Sequence, residues 1–307
     1  MRKNQAARRA SSEPARPLGA SLPSIAKPRI GLALGGGGAR GIAHILAFEV
    51  FEELGVRPHM IAGSSIGAIF GAAYASGLSA AQLRSHTEDT LTNRFDLIRQ
   101  LFTNHPKPVR QLLNIFPWRS AVLNPATILE IVLPPTIPQT FEELEIPLQI
   151  VATNLGKRDT ELFKSGPLKP AVAASMAIPV VFAPVSIEGH TLADGGLTNP
   201  LPYNLLEPHC DITVAIDVSG AASEAVIGPK PSVTTVLTQS VQILQKRIIR
   251  EQLARTQPDI YIDVDLDRFS AYQFHKVKDI LAAAEQAKQQ LKTKLIRILQ
   301  AVPADQT

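Results

Sequence analysis

The sequence predicts a layered α/β fold: a central, mostly parallel sheet flanked by helices, with a helical cap region at 85–140. Two observations predict it. Short apolar runs alternate with longer segments of helical spacing from residue 29 onward, and clusters of glycine stand where several runs end. No apolar run reaches the roughly 18 residues that cross a bilayer, so the runs read as strands of a buried sheet.

Ile30-Gly31-Leu32-Ala33-Leu34 is the first strand, ended by Gly35 to Gly38. Ala39 to Leu54 follows as a helix, with Ile42, Ile45, Leu46, Phe48 and Val50 at apolar positions. Met60-Ile61-Ala62 is a second strand, running into Gly63-Ser64-Ser65-Ile66-Gly67 and a small-residue helix from Ala68 to Ser76. Between 85 and 140 prolines interrupt helical pieces that carry Phe95, Phe102, Phe116 and Trp118, with Arg99, Lys107, Arg110 and Arg119 interleaved. Such a segment serves as an amphipathic lid or as an ordinary cap with its aromatics turned inward. Strands return at Leu148 to Thr153, 180–187, 190–193, Ile212 to Val218 and Asp259 to Val264, with helices at 233–256 and 276–300.

Composition narrows the function classes. The chain has 307 residues, 45% hydrophobic and 19% charged, ordinary for a globular protein with a large core. Its net charge of +4 is unevenly placed: Arg2, Lys3, Arg8, Arg9, Arg16 and Lys27 face only Glu13, a local +5 that leaves −1 elsewhere. A near-neutral globular part gives a nucleic-acid role little support. The basic, proline-rich 1–28 region reads as a disordered tail, with an anionic membrane contact or a leader as sharper readings. Residues 29–307 then form one domain, 221–307 being its C-terminal helical portion. The N-terminus lacks a continuous apolar stretch of the secretory kind, and Cys210, the single cysteine, forms no intrachain disulfide. A cytoplasmic location is expected, with the tail and the cap as surfaces for peripheral membrane contact.

Three motifs carry chemistry. Gly63-Ser64-Ser65-Ile66-Gly67 fits G-x-S-x-G, in which a sharp strand-to-helix turn holds a nucleophilic serine clear of the backbone. Gly36, Gly38 and Gly41 satisfy G-x-G-x-x-G, but Val56 to Ala62 holds no ribose-binding acid and no Gly-Lys-Ser/Thr follows. That leaves an oxyanion hole of backbone N–H groups, or a tight packing turn, as readings of Gly35 to Gly41. Asp194-Gly195-Gly196 places a carboxylate where a strand meets a turn.

The order of the Gly-rich loop with Arg40, then Gly-x-Ser-x-Gly, then Asp-Gly-Gly resembles the patatin-like phospholipase family. Ala173-Ala174-Ser175-Met176-Ala177-Ile178-Pro179, Phe182-Ala183-Pro184-Val185 and Leu197-Thr198-Asn199-Pro200-Leu201-Pro202 continue the resemblance, which covers about 29–220 and is closest to the bacterial branch related to neuropathy target esterase. It implies a patatin-like fold and a serine acyl-ester hydrolase of phospholipase A or lysophospholipase type, acting on a lipid acyl ester through a Ser–Asp dyad. Carried over, Ser65 is the nucleophile and Asp194 the base. Gly36, Gly37 and Gly38 supply oxyanion N–H groups, Arg40 supports them, Gly63, Ser64 and Gly67 shape the elbow, and Gly195 and Gly196 follow the acid. Ser64 stands where Thr is frequent, and Asn154 where Asp is usual. An Asp acting as base at neutral pH implies desolvation and a raised pKa.

Competing expectations stay in view. A Ser-Asp-His triad would have to use His209 or His275. His44 reads as helix packing or as a brace for the glycine loop, Asp217 as a turn former and Cys210 as an inert thiol. A catalytically weak lipid- or partner-binding module on the same fold is the non-enzymatic alternative. No cofactor or metal is called for, because no His, Cys or carboxylate cluster has ligand spacing.

Overall fold

The computed structural model describes residues 28–93, 123–220, 231 and 233–301. Eight strands form one mixed sheet: β1 (Ile30–Leu34), β2 (Met60–Ser64), β3 (Leu148–Asn154), β4 (Asp159–Phe163), β5 (Val185–Ile187), β6 (His190–Asp194), β7 (Ile212–Asp217) and β8 (Ile260–Asp263). The path is β5-β6-β3-β2-β1-β7-β8, with β4 also paired to β3. From β3 through β8 the neighbours are parallel, and β4, β5 and β6 supply the antiparallel pairs. The helices are α1 (His44–Glu53), α2 (Ile66–Ala75), α3 (Ala80–Asn93), α4 (Pro125–Val132), α5 (Leu168–Ser175), α6 (Val233–Arg255) and α7 (Val277–Ala301).

The central strands are apolar on both faces because both are covered, but the faces differ in size. Along β1, Ile30, Leu32 and Leu34 enter the main core, while Ala33 turns to the opposite side with Ala62 and Ala215. That small-residue face lets Leu201, Tyr203, Leu206 and Cys210 lie close against the sheet, with Ile249 of α6 joining them. A Cβ at Gly31 would stand 2.8 Å from the Cys210 sulfur. On the large-residue side α1, α3 and α7 are clipped together: Arg84 and Lys288 both meet Glu49, and Lys288 and Lys292 both meet Glu53.

The register of β3 positions the site. Its first half pairs with β2 as far as Ser64 opposite Val151. At the next residue β6 takes over, with Asp194 opposite Ala152. Since β4 pairs with Ile150 through Asn154, it must hold the other edge. Asp194 therefore enters the sheet at the step where Ser65 leaves it.

Several expectations are corrected. The segment from Ala39 opens with a 3-10 turn, Gly38–Ala43, before α1 begins. The strand expected at 180–187 is only Val185–Ile187, and Phe182 makes an isolated bridge to Leu123. β4 and α5 are additional elements. Within 85–140, α3 starts earlier, at Ala80, and α4 closes the region. The tail at 1–27 and the aromatic and basic residues Phe95, Arg99, Phe102, Lys107, Arg110, Phe116, Trp118 and Arg119 lie outside the described residues.

A buried ion pair ties α6 to the sheet. Asp217, fully buried at the end of β7, accepts from Lys246 Nζ at 2.9 Å, Tyr261 Oη at 2.8 Å and Ser219 N at 2.8 Å. Burial opposes its charge, yet the Lys246 ammonium and these donors together hold its pKa below the ordinary value. Lys246→Met should destabilise the fold by about 3–5 kcal/mol, because it strands a buried carboxylate. Denaturant titration should show much of that loss recovered in Lys246→Met combined with Asp217→Asn; additive losses would break the account.

Candidate active site

The C-terminal ends of the parallel strands converge where α/β sheets characteristically bind ligands. β1 delivers the glycine loop and β2 delivers Ser65. Ser65 sits at the turn with φ 56 and ψ −123, a conformation that L-residues rarely adopt and that costs on the order of 1–3 kcal/mol. The turn is possible because its flanks are bare. A Cβ at Gly63 would strike the backbone of Gly67 and Ala68, and one at Gly67 would strike the Leu34 carbonyl. The Ser65 N–H donates to Ser175 Oγ at 2.9 Å, a buried bond from the end of α5 that locks the turn.

Ser65 Oγ donates to Asp194 Oδ2 at 2.6 Å. The other carboxylate oxygen accepts from Gly196 N at 2.8 Å, and Thr153 Oγ1 holds the Asp194 carbonyl. Gly195 must be glycine, since a side chain there would run into the Val151 carbonyl. Asp194 is fully buried, and desolvation raises its pKa to about 6 against the lowering pull of Ser65 and Gly196. Ser64 Oγ is buried and without a hydrogen-bond partner among the described residues.

The glycine loop passes directly beside this pair. The Gly36 N–H, expected among the oxyanion donors, is instead committed to the Pro200 carbonyl at 2.9 Å. Gly35 N–H is likewise spent on Ile216 O at 3.0 Å. Among the described residues the N–H groups of Gly37 and Gly38 meet no backbone carbonyl, which leaves two donors. Gly38 has φ +59, and any side chain on it would collide with Ala271. Arg40, almost wholly buried, donates from Nε to the Gly37 carbonyl at 3.2 Å and from Nη2 to Gln242 Oε1 at 3.4 Å. Burial lowers its pKa to about 10, so it stays charged at neutral pH.

His44 does both things the sequence allowed. It meets Phe70 edge-on at 6.3 Å, and its Nε2 donates to Gly35 O at 2.9 Å. Burial lowers its pKa to about 4, leaving it neutral. His209 and His275 are exposed, and the serine's partner is the carboxylate. Asp217 turns the chain at Ser219, and burial raises the pKa of Cys210. Asn154 builds the β3–β4 hairpin by accepting from Gly156 N and Lys157 N and donating to Glu161. Sequence reasoning missed Ser175 as the partner of the nucleophile's amide, and Pro200 as the partner of Gly36; neither pattern predicts a contact across the fold.

Ser65 stands between two spaces. On one side a cavity of about 120 Å³ runs between α2, α3 and α4, walled by residues such as Ile66, Phe70, Leu83, Ile128 and Leu133. Adjoining it is a small pocket of about 20 Å³, lined by Gly37, Arg40, Ile178, Val241, Gln242 and Gln245. Among the described residues no group of three or more His, Cys, Asp or Glu could hold a metal ion.

Two outcomes follow from this geometry. Ser175→Ala leaves the buried Ser65 amide unpaired and should cost about 1–3 kcal/mol of unfolding free energy, read by denaturant titration. A carboxyl raised from 3.8 to about 6 contributes its full stability below pH 3.8 and loses it as pH rises through 6. Asp194→Asn should therefore gain stability relative to the parent across that interval, by on the order of 2–3 kcal/mol. A pH-independent difference would mean that the carboxylate is not strained by burial.

The profile of the family described as patatin-like phospholipase matches residues 32–206. An uncharacterised NTE family protein of Mycobacterium tuberculosis is 36% identical over 208 residues, 67% of this chain and 54% of its own. Human patatin-like phospholipase domain-containing protein 6 is 32% identical over 192 residues, 62% of this chain and 13% of that protein. The chain thus spans about half the length of the mycobacterial relative. VipD of Legionella pneumophila aligns with a TM-score of 0.45 and 16% identity, over 87% of this chain and 67% of that one. With more than half of its residues matched by that profile, the chain belongs to the patatin-like phospholipase family.

Proposed function

We propose that this protein hydrolyses acyl esters of lipids, of the phospholipase A or lysophospholipase type, with Ser65 as nucleophile and Asp194 as its base. The observation that carries this reading is the 2.6 Å bond from Ser65 Oγ to Asp194 Oδ2 at the inner end of an apolar cavity. A serine hydroxyl is a weak nucleophile until a neighbouring group takes its proton, and a carboxylate raised to about 6 does so far better than one near 3.8.

In the first half-reaction Ser65 Oγ attacks the ester carbonyl carbon while its proton passes to Asp194. Negative charge collects on the carbonyl oxygen, and the Gly37 and Gly38 N–H groups stabilise it, with Arg40 fixing the loop through the Gly37 carbonyl. Loss of one such donor typically costs about 3 kcal/mol of transition-state stabilisation. The C–O bond to the alcohol then breaks and Asp194 returns the proton to that oxygen. Water repeats the sequence on the acyl-enzyme, releasing the fatty acid and restoring Ser65. The apolar cavity beside Ser65 accommodates the acyl chain. The whole of 29–307 acts as one hydrolase domain, with α3 and α4 walling the cavity.

Fluorophosphonate labelling and short-chain ester turnover test the reading. Both should vanish in Ser65→Ala, while Asp194→Asn should slow turnover by roughly 10²–10⁴-fold. The kcat/KM profile should rise with pH through a limb near 6, since the base must be ionised. A limb near 3.8 would count against the desolvated, raised-pKa state of Asp194, and a folded parent that neither labels nor turns over would leave a binding module.

A further inference from the structure

Helix α6 is built inside out. Its inward stripe, Thr238, Gln242, Gln245, Ile249 and Gln252, recurs at three- and four-residue intervals and is mostly polar. Gln242 bonds Arg40, Gln252 Nε2 donates to Asn199 Oδ1 at 2.8 Å, and Gln242 and Gln245 line the small pocket beside Ser65. Its outward stripe is apolar over the first half. Val233, Ile243 and Leu244 are 77%, 61% and 62% exposed, and Val236 and Leu237 are about half exposed. An amphipathic helix that covers a site normally places such residues the other way round. Single exposed apolar residues need no explanation, but five on one stripe of one helix do.

We infer that this stripe of α6 docks on an anionic lipid surface. Lipid is favoured over other occupants by charge and position. The stripe runs into Arg247 and Arg250, exposed on the same side, and Ile243, Arg247 and Arg250 line one shallow cleft. Apolar side chains beside guanidinium groups match the acyl boundary and the phosphates of a bilayer. Glu251 offsets one charge through its bond to Arg247, while Arg250 and Arg255 add to the cationic end. The inward side of the same helix lines the pocket beside Ser65 with Thr238, Val241, Gln242 and Gln245. This surface rests on the hydrolase reading only for the choice of a lipid as partner.

The test uses the full chain and vesicles of phosphatidylcholine, alone or mixed with phosphatidylglycerol. The parent and the Ser65→Ala variant should sediment with the mixed vesicles. Ile243→Ser combined with Leu244→Ser should weaken that partitioning roughly tenfold or more. That pair should leave short-chain soluble ester turnover unchanged and lower turnover of vesicle-embedded lipid. Arg247→Gln with Arg250→Gln should remove most of the preference for phosphatidylglycerol. A Leu244→Cys protein carrying an environment-sensitive fluorophore should shift to the blue on adding vesicles. Partitioning unchanged by the Ile243 and Leu244 substitutions, or a silent fluorophore, would overturn the surface. So would light scattering that shows a parent dimer dissolved by those substitutions without vesicle binding. Vesicle binding through α6 by a parent with no ester turnover would instead overturn the hydrolase and leave the surface standing.

Discussion

The site depends on a hand-over along one strand. β3 is longer than β2, and its free edge beyond Val151 is filled by β6 running the opposite way. Two residues 129 apart in sequence are thereby placed side by side by backbone hydrogen bonds, before either side chain is considered. Sheet register is strongly specified where faces are buried, because a slip of one residue would turn every side chain over. The short hydroxyl–carboxylate contact inherits that precision. The strained turn at Ser65 and the bare backbone at Gly195 are local costs of bringing the two chains so close.

The two buried carboxylates at the strand ends show how surroundings divide labour. Asp217 and Asp194 are equally hidden from water. Asp217 is answered by a lysine, a tyrosine and an amide, and its charge is held in place. Among the described residues Asp194 is answered by a hydroxyl and one amide, without a cation, so burial prevails and the carboxyl keeps a real affinity for protons. One is fixed as an anchor for α6, and the other is left able to exchange a proton near neutrality.

Much of this was legible in the sequence for identifiable reasons. β1, β2, β3 and β7 are covered on both faces and so read as apolar runs. β4 has no such signature: Asp159–Phe163 is exposed or half-exposed and joins β3 through its backbone. Ser65 and Asp194 stood out because tight turns and glycines mark them locally. Ser175 against the Ser65 amide and Pro200 against Gly36 did not, because each is created by approach of distant segments. α6 was legible as a helix, yet its orientation was not. Its apolar residues would ordinarily be assigned to the core, and only the packed structure shows glutamines there instead.

The small-residue side of the sheet carries a consequence of its own. Leu201, Tyr203 and Leu206 rest against Ala33, Ala62 and Ala215, and the same stretch of chain begins at Pro200, whose carbonyl tethers Gly36. The thickness of that layer is thus a gauge for the glycine loop, with alanine and glycine as its shims. Side chains without any reactive group calibrate where the two free amides stand. Thickening the layer by a single methyl at Gly31, against a sulfur already at contact distance, would pass along the 200–210 segment as displacement at the serine.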